Sequence, residues 1–329
     1  MLESNEQEHL QHAPYGGQAV IEGVMMRSPR FFAVACRRAN KEIVIRQESV
    51  ESILKKFQWL NKPFLRGTLA LIDAMVLGVK ALMFSADVAM EDIEQTTPKK
   101  GKKAEEPVRE APAEKPSKPK GQSINDITVG ASMILGLVIG IGVFMIGPHL
   151  LADLLKKWIQ RPIWLNLAEG TLRIGLFVGY VAAISLMKDI RRVFQYHGAE
   201  HKVINTLEAG LDLNPENFGK YTTIHPRCGT SFILIVLVFS IIVYSFLGWH
   251  PAWYERVIYR LLLLPLIAGL AYEVIRFAGR HKDSRILAAI LSPGLLMQRL
   301  TTREPSEDQV EVALRALQAV MEKEQEAGA

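Results

Sequence analysis

Cysteine is scarce in this chain: Cys36 and Cys228 are the two among 329 residues. One pair cannot staple a chain of this length, which excludes a disulfide-framed fold. Charged residues stand at an ordinary 22% while hydrophobic residues reach 49%, so disordered and collagen-like classes are excluded as well. The first thirty residues lack an apolar run and carry Glu3, Glu6 and Glu8, so no secretory signal is expected there. No internal repeat is visible. The net charge of +5 would point to nucleic acid only if the basic residues formed a patch. They sit instead beside apolar runs, which is a membrane pattern, and no nucleic-acid partner is expected.

The apolar residues are concentrated. Residues 127–152 and 229–254 contain no charged side chain, and each is long enough for a spanning helix of ~20 residues. Two weaker runs, 172–187 and 257–275, carry charges near their ends that can snorkel. Four spans are therefore predicted. Lys and Arg number eight in 99–120, six in 188–228 and six in 276–303, against four in 152–173 and two in 250–260. That bias places both termini and the 188–228 loop in the cytoplasm.

Residues 64–90 are ambiguous. They are largely apolar, yet Arg66, Asp73, Lys80 and Asp87 recur every seven residues. As a span this segment would place Lys80 near mid-bilayer at a cost of roughly 2.5–3.5 kcal/mol. A helix packed on the cytoplasmic face, partly sunk into it, is the preferred reading. The organisation that follows is an N-terminal cytoplasmic region at 1–95, with a hairpin expected over 31–47. A charged, proline-rich linker at 96–123 comes next, without the composition to bury a core. The four-span region covers 124–275 and includes the 188–228 loop. Cytoplasmic helices occupy 276–329. There, Ser292-Pro293-Gly294 is expected to break an apolar segment lying along the surface, and Ser306 with Gln309 forms a capping box for a final helix. The fold class is mainly α, a polytopic helical membrane protein with a small α+β cytoplasmic part.

The 188–228 loop holds the chemistry. Ile190, Phe194, His197, His201 and Ile204 share one helical face, and Gly210 is a natural stop. His197 and His201 are four residues apart, so two imidazoles project from successive turns toward one point. That spacing suits two ligands of a tetrahedral zinc ion. With Glu200 the string is H-x-x-E-H, in which the carboxylate can act as general base. His225 and Cys228 follow as H-x-x-C, able to close on the same metal from a turn. A divalent metal, zinc by donor type, is the expected cofactor, and an ordinary hydrogen-bonded loop is the alternative. If all four ligate, the shell is closed and structural; if one stands off, Glu200 lies beside an open hydrolytic position. Glu22, in the apolar stretch GGQAVIEGVMMR, needs a partner if buried: the metal, Arg27, or the solvent of a turn.

The strings GGQAVIEGVMMRSP, PFLRG, YHGAEHK, HPRCGTSF and PGLLMQRLTTREP resemble those of the YqhQ-type bacterial membrane proteins, a family of unknown function described as predicted metal-dependent enzymes. The resemblance implies an integral protein of the bacterial inner membrane, with Glu22, His197, Glu200, His201, His225 and Cys228 as candidate metal-site positions. It supplies neither substrate nor reaction. The expectation is a metal-dependent hydrolase at the cytoplasmic membrane face, with Glu200 as base. Its partners would be membrane lipids and a lipid or membrane-protein substrate. A non-enzymatic, metal-stabilised scaffold or regulator is the rival. A transporter is third, since the two strongest spans lack charged residues.

Overall fold

A computed structural model of the protein describes residues 15–50, 62, 64–96, 123–247, 252–280 and 284–328. Four strands come first: β1 (Gly16–Val20), β2 (Gly23–Arg27), β3 (Phe31–Arg37) and β4 (Ile43–Ser49). They form an antiparallel meander in chain order, with Gly16 opposite Arg27, Gly23 opposite Cys36 and Phe31 opposite Ser49. The expected hairpin is β3–β4. Its turn closes through the Arg38 N–H on the Glu42 carbonyl at 2.8 Å, with Lys41 left-handed at φ 72. GGQAV and GVMMR show no clean alternation, and nothing in their sequence predicts the two further strands.

Successive strand residues point to opposite faces, and here both faces are covered. Val20, Met25, Phe32, Val34 and Cys36 pack on Leu77, Ala81 and Val88 of helix α1 (Leu65–Thr96). Val24, Met26, Ala33 and Ala35 pack on helices α5 (Lys188–Glu208) and α10 (Glu307–Gly328). The alanines leave room for α10 to come close. Half of the expected capping box is present at the start of α10: the Ser306 N–H donates to Gln309 Oε1 at 2.9 Å, while the Gln309 N–H goes to the Ser306 backbone carbonyl at 3.0 Å, and the buried face of that helix is on its own protein.

The remaining long helices form an apolar bundle: α2 (Ser123–Ile141), α3 (Gly147–Leu155), α4 (Pro162–Ile184), α7 (Gly229–Ser245), α8 (Trp253–Arg280) and α9 (Arg285–Thr301). A short helix, α6 (Pro215–Gly219), precedes α7. Among the described residues, four helical segments are long and apolar enough to cross a membrane: Leu65–Ile93, Ile134–Leu155, Pro162–Ile184 and Tyr254–Ala278. α7 ends at Ser245, short of the run expected to 254. The linker expected over 96–123 falls almost wholly outside the described residues.

Three departures have physical causes. α2 and α3 are joined by a π-helical turn, Gly142–Ile146, and Arg173 Nε donates to the Phe144 carbonyl within it at 3.1 Å. α9 runs straight through Ser292-Pro293-Gly294 rather than breaking. Proline lacks the N–H that would meet the Ala289 carbonyl, and the Ser292 hydroxyl donates to that carbonyl instead at 2.8 Å. α9 is also packed against α7, with Leu291 beside Ile235 and Met297 beside Leu234. α4 and α5 are separate helices, parted by an extended Met187 (φ −70, ψ 135).

The bundle's two ends differ. At one end lies a buried ionic network that hydropathy does not announce. Arg260 Nη2 donates to Glu169 Oε2 at 2.6 Å, Arg173 Nη2 to Glu169 Oε1 at 2.8 Å, and His149 Nδ1 is 3.5 Å from Glu169. Glu169 is 1% exposed. The other end, where α4 finishes and α7 begins, carries the sheet and α5.

Candidate metal centre

α5 leaves α4 with the predicted face turned toward the start of α7. The imidazoles of His197 and His201 lie with ring centroids 4.4 Å apart. Cys228 is the residue that caps the N-terminus of α7, which carries its sulfur to the same point. His197, His201 and Cys228 each offer a ligand atom, and these three atoms lie within 4.8 Å of one another. The Cys228 thiol is 3.3 Å from His197 Nε2. Tetrahedral zinc with ordinary Zn–N and Zn–S bonds holds its donors about 3.3–3.6 Å apart, so the cluster needs little movement to close on an ion.

The surrounding hydrogen bonds fix which nitrogen is available. His197 Nδ1 donates to the Thr301 carbonyl at 2.8 Å and His201 Nδ1 to the Thr223 carbonyl at 2.6 Å. A carbonyl can only accept, so both Nδ1 atoms carry the proton and both Nε2 lone pairs face the sulfur. Backbone support of this kind on the far ring nitrogen is how metal-bound histidines are oriented. Burial holds the His201 imidazole below its ordinary pKa, opposed by its hydrogen bonds to Cys228 and to the Thr223 backbone, and that favours the neutral, ligating form. The donor set and its anchoring fit a divalent metal, with zinc matched to two imidazoles and a thiolate.

Glu200 stands at the same place without being one of the three. Its Oε2 is 3.9 Å from His197 Nε2 and 3.8 Å from His201 Nε2. Burial pushes its carboxyl above the ordinary value, opposed by His197, His225 and the Gly17 backbone N–H of β1. β1 is pressed so closely here that a Cβ on Gly17 would lie 2.9 Å from Glu200 Cγ. On the neighbouring turn, a Cβ on Gly198 would lie 2.1 Å from the Arg303 carbonyl oxygen. The glycine of YHGAEHK is thus what lets the chain after α9 cross over α5.

His225 and Glu22 lie outside the three-ligand cluster. The His225 ring is 5.7 Å from that of His201. Its Nε2 is 3.3 Å from Glu208 Oε1, while its Nδ1 accepts the Arg227 N–H at 3.3 Å. Glu22 sits in the β1–β2 turn at φ 50. Its carboxylate pairs with Arg192, not Arg27, and accepts the Tyr196 hydroxyl at 3.3 Å.

Three supports escape a sequence reading confined to ionisable residues. Gln298, fully buried, accepts the His225 N–H at 2.8 Å and donates to the His225 carbonyl at 2.8 Å and to Ser231 Oγ at 2.7 Å. Asn205 donates to the carbonyls of Thr222 and Ile224, each at 3.1 Å. Thr301 supplies its carbonyl. Gln298 and Thr301 lie within the string PGLLMQRLTTREP, the one signal that could have drawn attention to them.

The sequence model of a family described as "Protein of unknown function (DUF1385)" matches residues 62–323. The chain is 35% identical over 318 residues to "Uncharacterized protein YqhQ" of Bacillus subtilis (strain 168), covering 93% of this chain and 92% of that one. No solved structure matches.

Proposed function

The chain belongs to the DUF1385 family, whose function is unknown, and from its own site we propose that it is a metal-dependent hydrolase working at the cytoplasmic surface of the bacterial inner membrane. The observation that carries this reading is the three-donor cluster with a fourth acidic group beside it. His197, His201 and Cys228 converge, and Glu200 faces both Nε2 atoms at 3.8–3.9 Å. Three protein ligands with an open fourth position are the pattern of catalytic zinc, whereas four closed ligands mark a structural site. A zinc ion held there would supply Lewis acidity toward a water and toward the carbonyl or phosphoryl oxygen of a substrate.

The chain's own residues do the rest. Glu200 accepts the proton of the attacking water and returns it to the leaving group as the scissile bond breaks. Thr301 and Thr223 keep the two imidazoles aimed. Cys228 opens α7, one of the bundle's apolar helices, so the site lies at the bundle's end, and a substrate resident in or on the membrane suits that depth. The four long apolar helical segments and the loop charges support a membrane location with the site on the cytoplasmic side.

The burial of the cluster favours a second reading, a metal-stabilised scaffold: His201 is 2%, Glu200 5% and Cys228 7% exposed. Metal content and coordination separate the two. Protein purified in detergent should carry one divalent metal per chain, lost in His201→Ala and Cys228→Ala and kept in Glu200→Gln. With cobalt(II) in the site, azide or a small hydroxamate should change the visible spectrum if a position is open. An unchanged spectrum makes the metal structural. Protein that holds no metal even after zinc is added back sinks both readings.

A further inference from the structure

Helix α1 is long and apolar enough to cross a bilayer, but what covers one of its faces is incompatible with crossing. Leu77, Ala81, Ser85 and Val88 are buried against the sheet. The Ser85 hydroxyl accepts the Ile21 N–H at 3.3 Å, and Arg38 of the β3–β4 turn pairs with Glu91 and Asp92. Half of the helix is therefore bound to a small antiparallel sheet whose fourth strand exposes Arg46, Gln47 and other polar groups. An open sheet edge and charged strand residues cannot enter hydrocarbon, where unpaired backbone groups go unsatisfied. If α1 crossed, the sheet would have to enter the bilayer with it.

The opposite face of α1 is exposed: Met75 is 61%, Val76 48%, Met83 52% and Met90 45% exposed. At 100° per residue this stripe is centred about 175° from the sheet-bound face. Lys80 and Asp87 fall on the flank, where Lys80 reaches Glu48 at 3.9 Å. The first turn of the helix is locked to the bundle. Arg66 makes a two-point ion pair with Glu273 of α8, and a Cβ on Gly67 would lie 2.6 Å from Tyr272 Cβ. Residues 98–120, which follow α1 in sequence, carry eight Lys and Arg against four Glu, a charge balance drawn to anionic headgroups.

We infer that α1 lies in the plane of the bilayer's inner leaflet, its Met75–Met90 stripe seated in lipid, and serves as the plate that holds the sheet, and with it the β1 backbone beside Glu200, against the membrane. This goes beyond the hydrolase reading and rests only on the bundle being in the membrane. The occupant of the stripe is lipid. A second copy of the chain and a transmembrane α1 are the outcomes that would displace it.

The test is site-directed spin labelling of the full chain in vesicles of phosphatidylglycerol and phosphatidylethanolamine. Single cysteines replace Ile72, Met75, Val79, Met83 and Met90, with the unsubstituted protein as background for the buried native thiols. A label at Leu262, 69% exposed on α8, reports whether the bundle itself is inserted. An in-plane helix gives all five α1 labels high oxygen accessibility, low accessibility to a water-soluble nickel complex, and one common depth. A crossing helix spreads residues 72 and 90 over about 27 Å of depth and refutes the inference. Labels shielded from both reagents and broadened by a second spin overturn it in favour of self-association. Nickel access along the stripe overturns it in favour of water. Failure at Leu262 as well would locate the error in the membrane reading.

Discussion

Replacing Gln298 by Ala tests the account of the metal centre at the point where packing and chemistry meet. Gln298 is fully buried, and its side-chain amide holds both the N–H and the C=O of His225 together with the Ser231 hydroxyl. These bonds set the path of the loop that delivers Cys228 to the cluster. Truncation removes three hydrogen bonds and leaves at least the buried His225 N–H without its acceptor. An unsatisfied buried group costs about 1–3 kcal/mol, and the cavity left by the shortened side chain adds to it, so the loss should be about 2–4 kcal/mol. The measurement is the thermal midpoint of the detergent-solubilised protein, with and without a chelator. The second readout is zinc affinity by competition with a chromophoric chelator, where loss of an outer support of this kind lowers affinity about 10–100-fold. Gln298→Glu, which keeps two acceptors but removes the donors, should fall between wild type and alanine. A Gln298→Ala protein with unchanged midpoint and unchanged zinc affinity would refute the argument that this amide positions the ligand loop.

Two further outcomes follow from other regions. Glu169→Gln at the far end of the bundle leaves Arg173 and Arg260 without the carboxylate between them; breaking a buried pair in this way costs about 3–5 kcal/mol, so the midpoint in detergent should fall steeply, and an unchanged midpoint would make the network dispensable. Glu324 of α10 lies below the ordinary carboxylate range: burial raises it, but the Ser28 hydroxyl and the Arg30 guanidinium outweigh that. Because its folded value is below the unfolded one, its contribution is full above about pH 4.5 and is lost as the pH falls further. The protection factors of the sheet amides, exchange measured against the intrinsic rate at each pH, should therefore fall below that pH in wild type, and much less so in Glu324→Gln, in which the contribution is already absent.

The sequence alone determined a great deal about this protein, because much of its physics is local. Apolar runs longer than an ordinary core helix can be counted directly, the β3–β4 hairpin follows from two short β-branched and aromatic runs on either side of a polar turn, and Ser306 with Gln309 announces α10. Four-residue spacing places His197 and His201 on one helical face whatever the rest of the chain does. Local pattern also misled. Ser-Pro-Gly predicted a break in α9, yet Ser292 supplies the hydrogen bond that Pro293 cannot and the neighbouring α7 supplies the packing. Hydropathy marks α1 as a candidate span, and an index summed over residues does not register that one face belongs to a sheet.

What only the tertiary structure decided are the relations across long sequence separations. Which of His225, Cys228 and Glu22 joins the two histidines depends on how the loop before α7 turns, and that turn is set by Gln298, some seventy residues later in the chain. Glu22 goes to Arg192 because the β1–β2 turn abuts the start of α5, a meeting no spacing rule encodes. The ionic network on Glu169 exists because α3, α4 and α8 bring distant charges together in an apolar bundle, where an unpaired charge could not remain. A helix face is a property of a few consecutive residues, so the sequence states it. A metal shell, an ion pair between helices and the covering of a face depend on elements distant in sequence, and they are fixed only when the whole chain has packed.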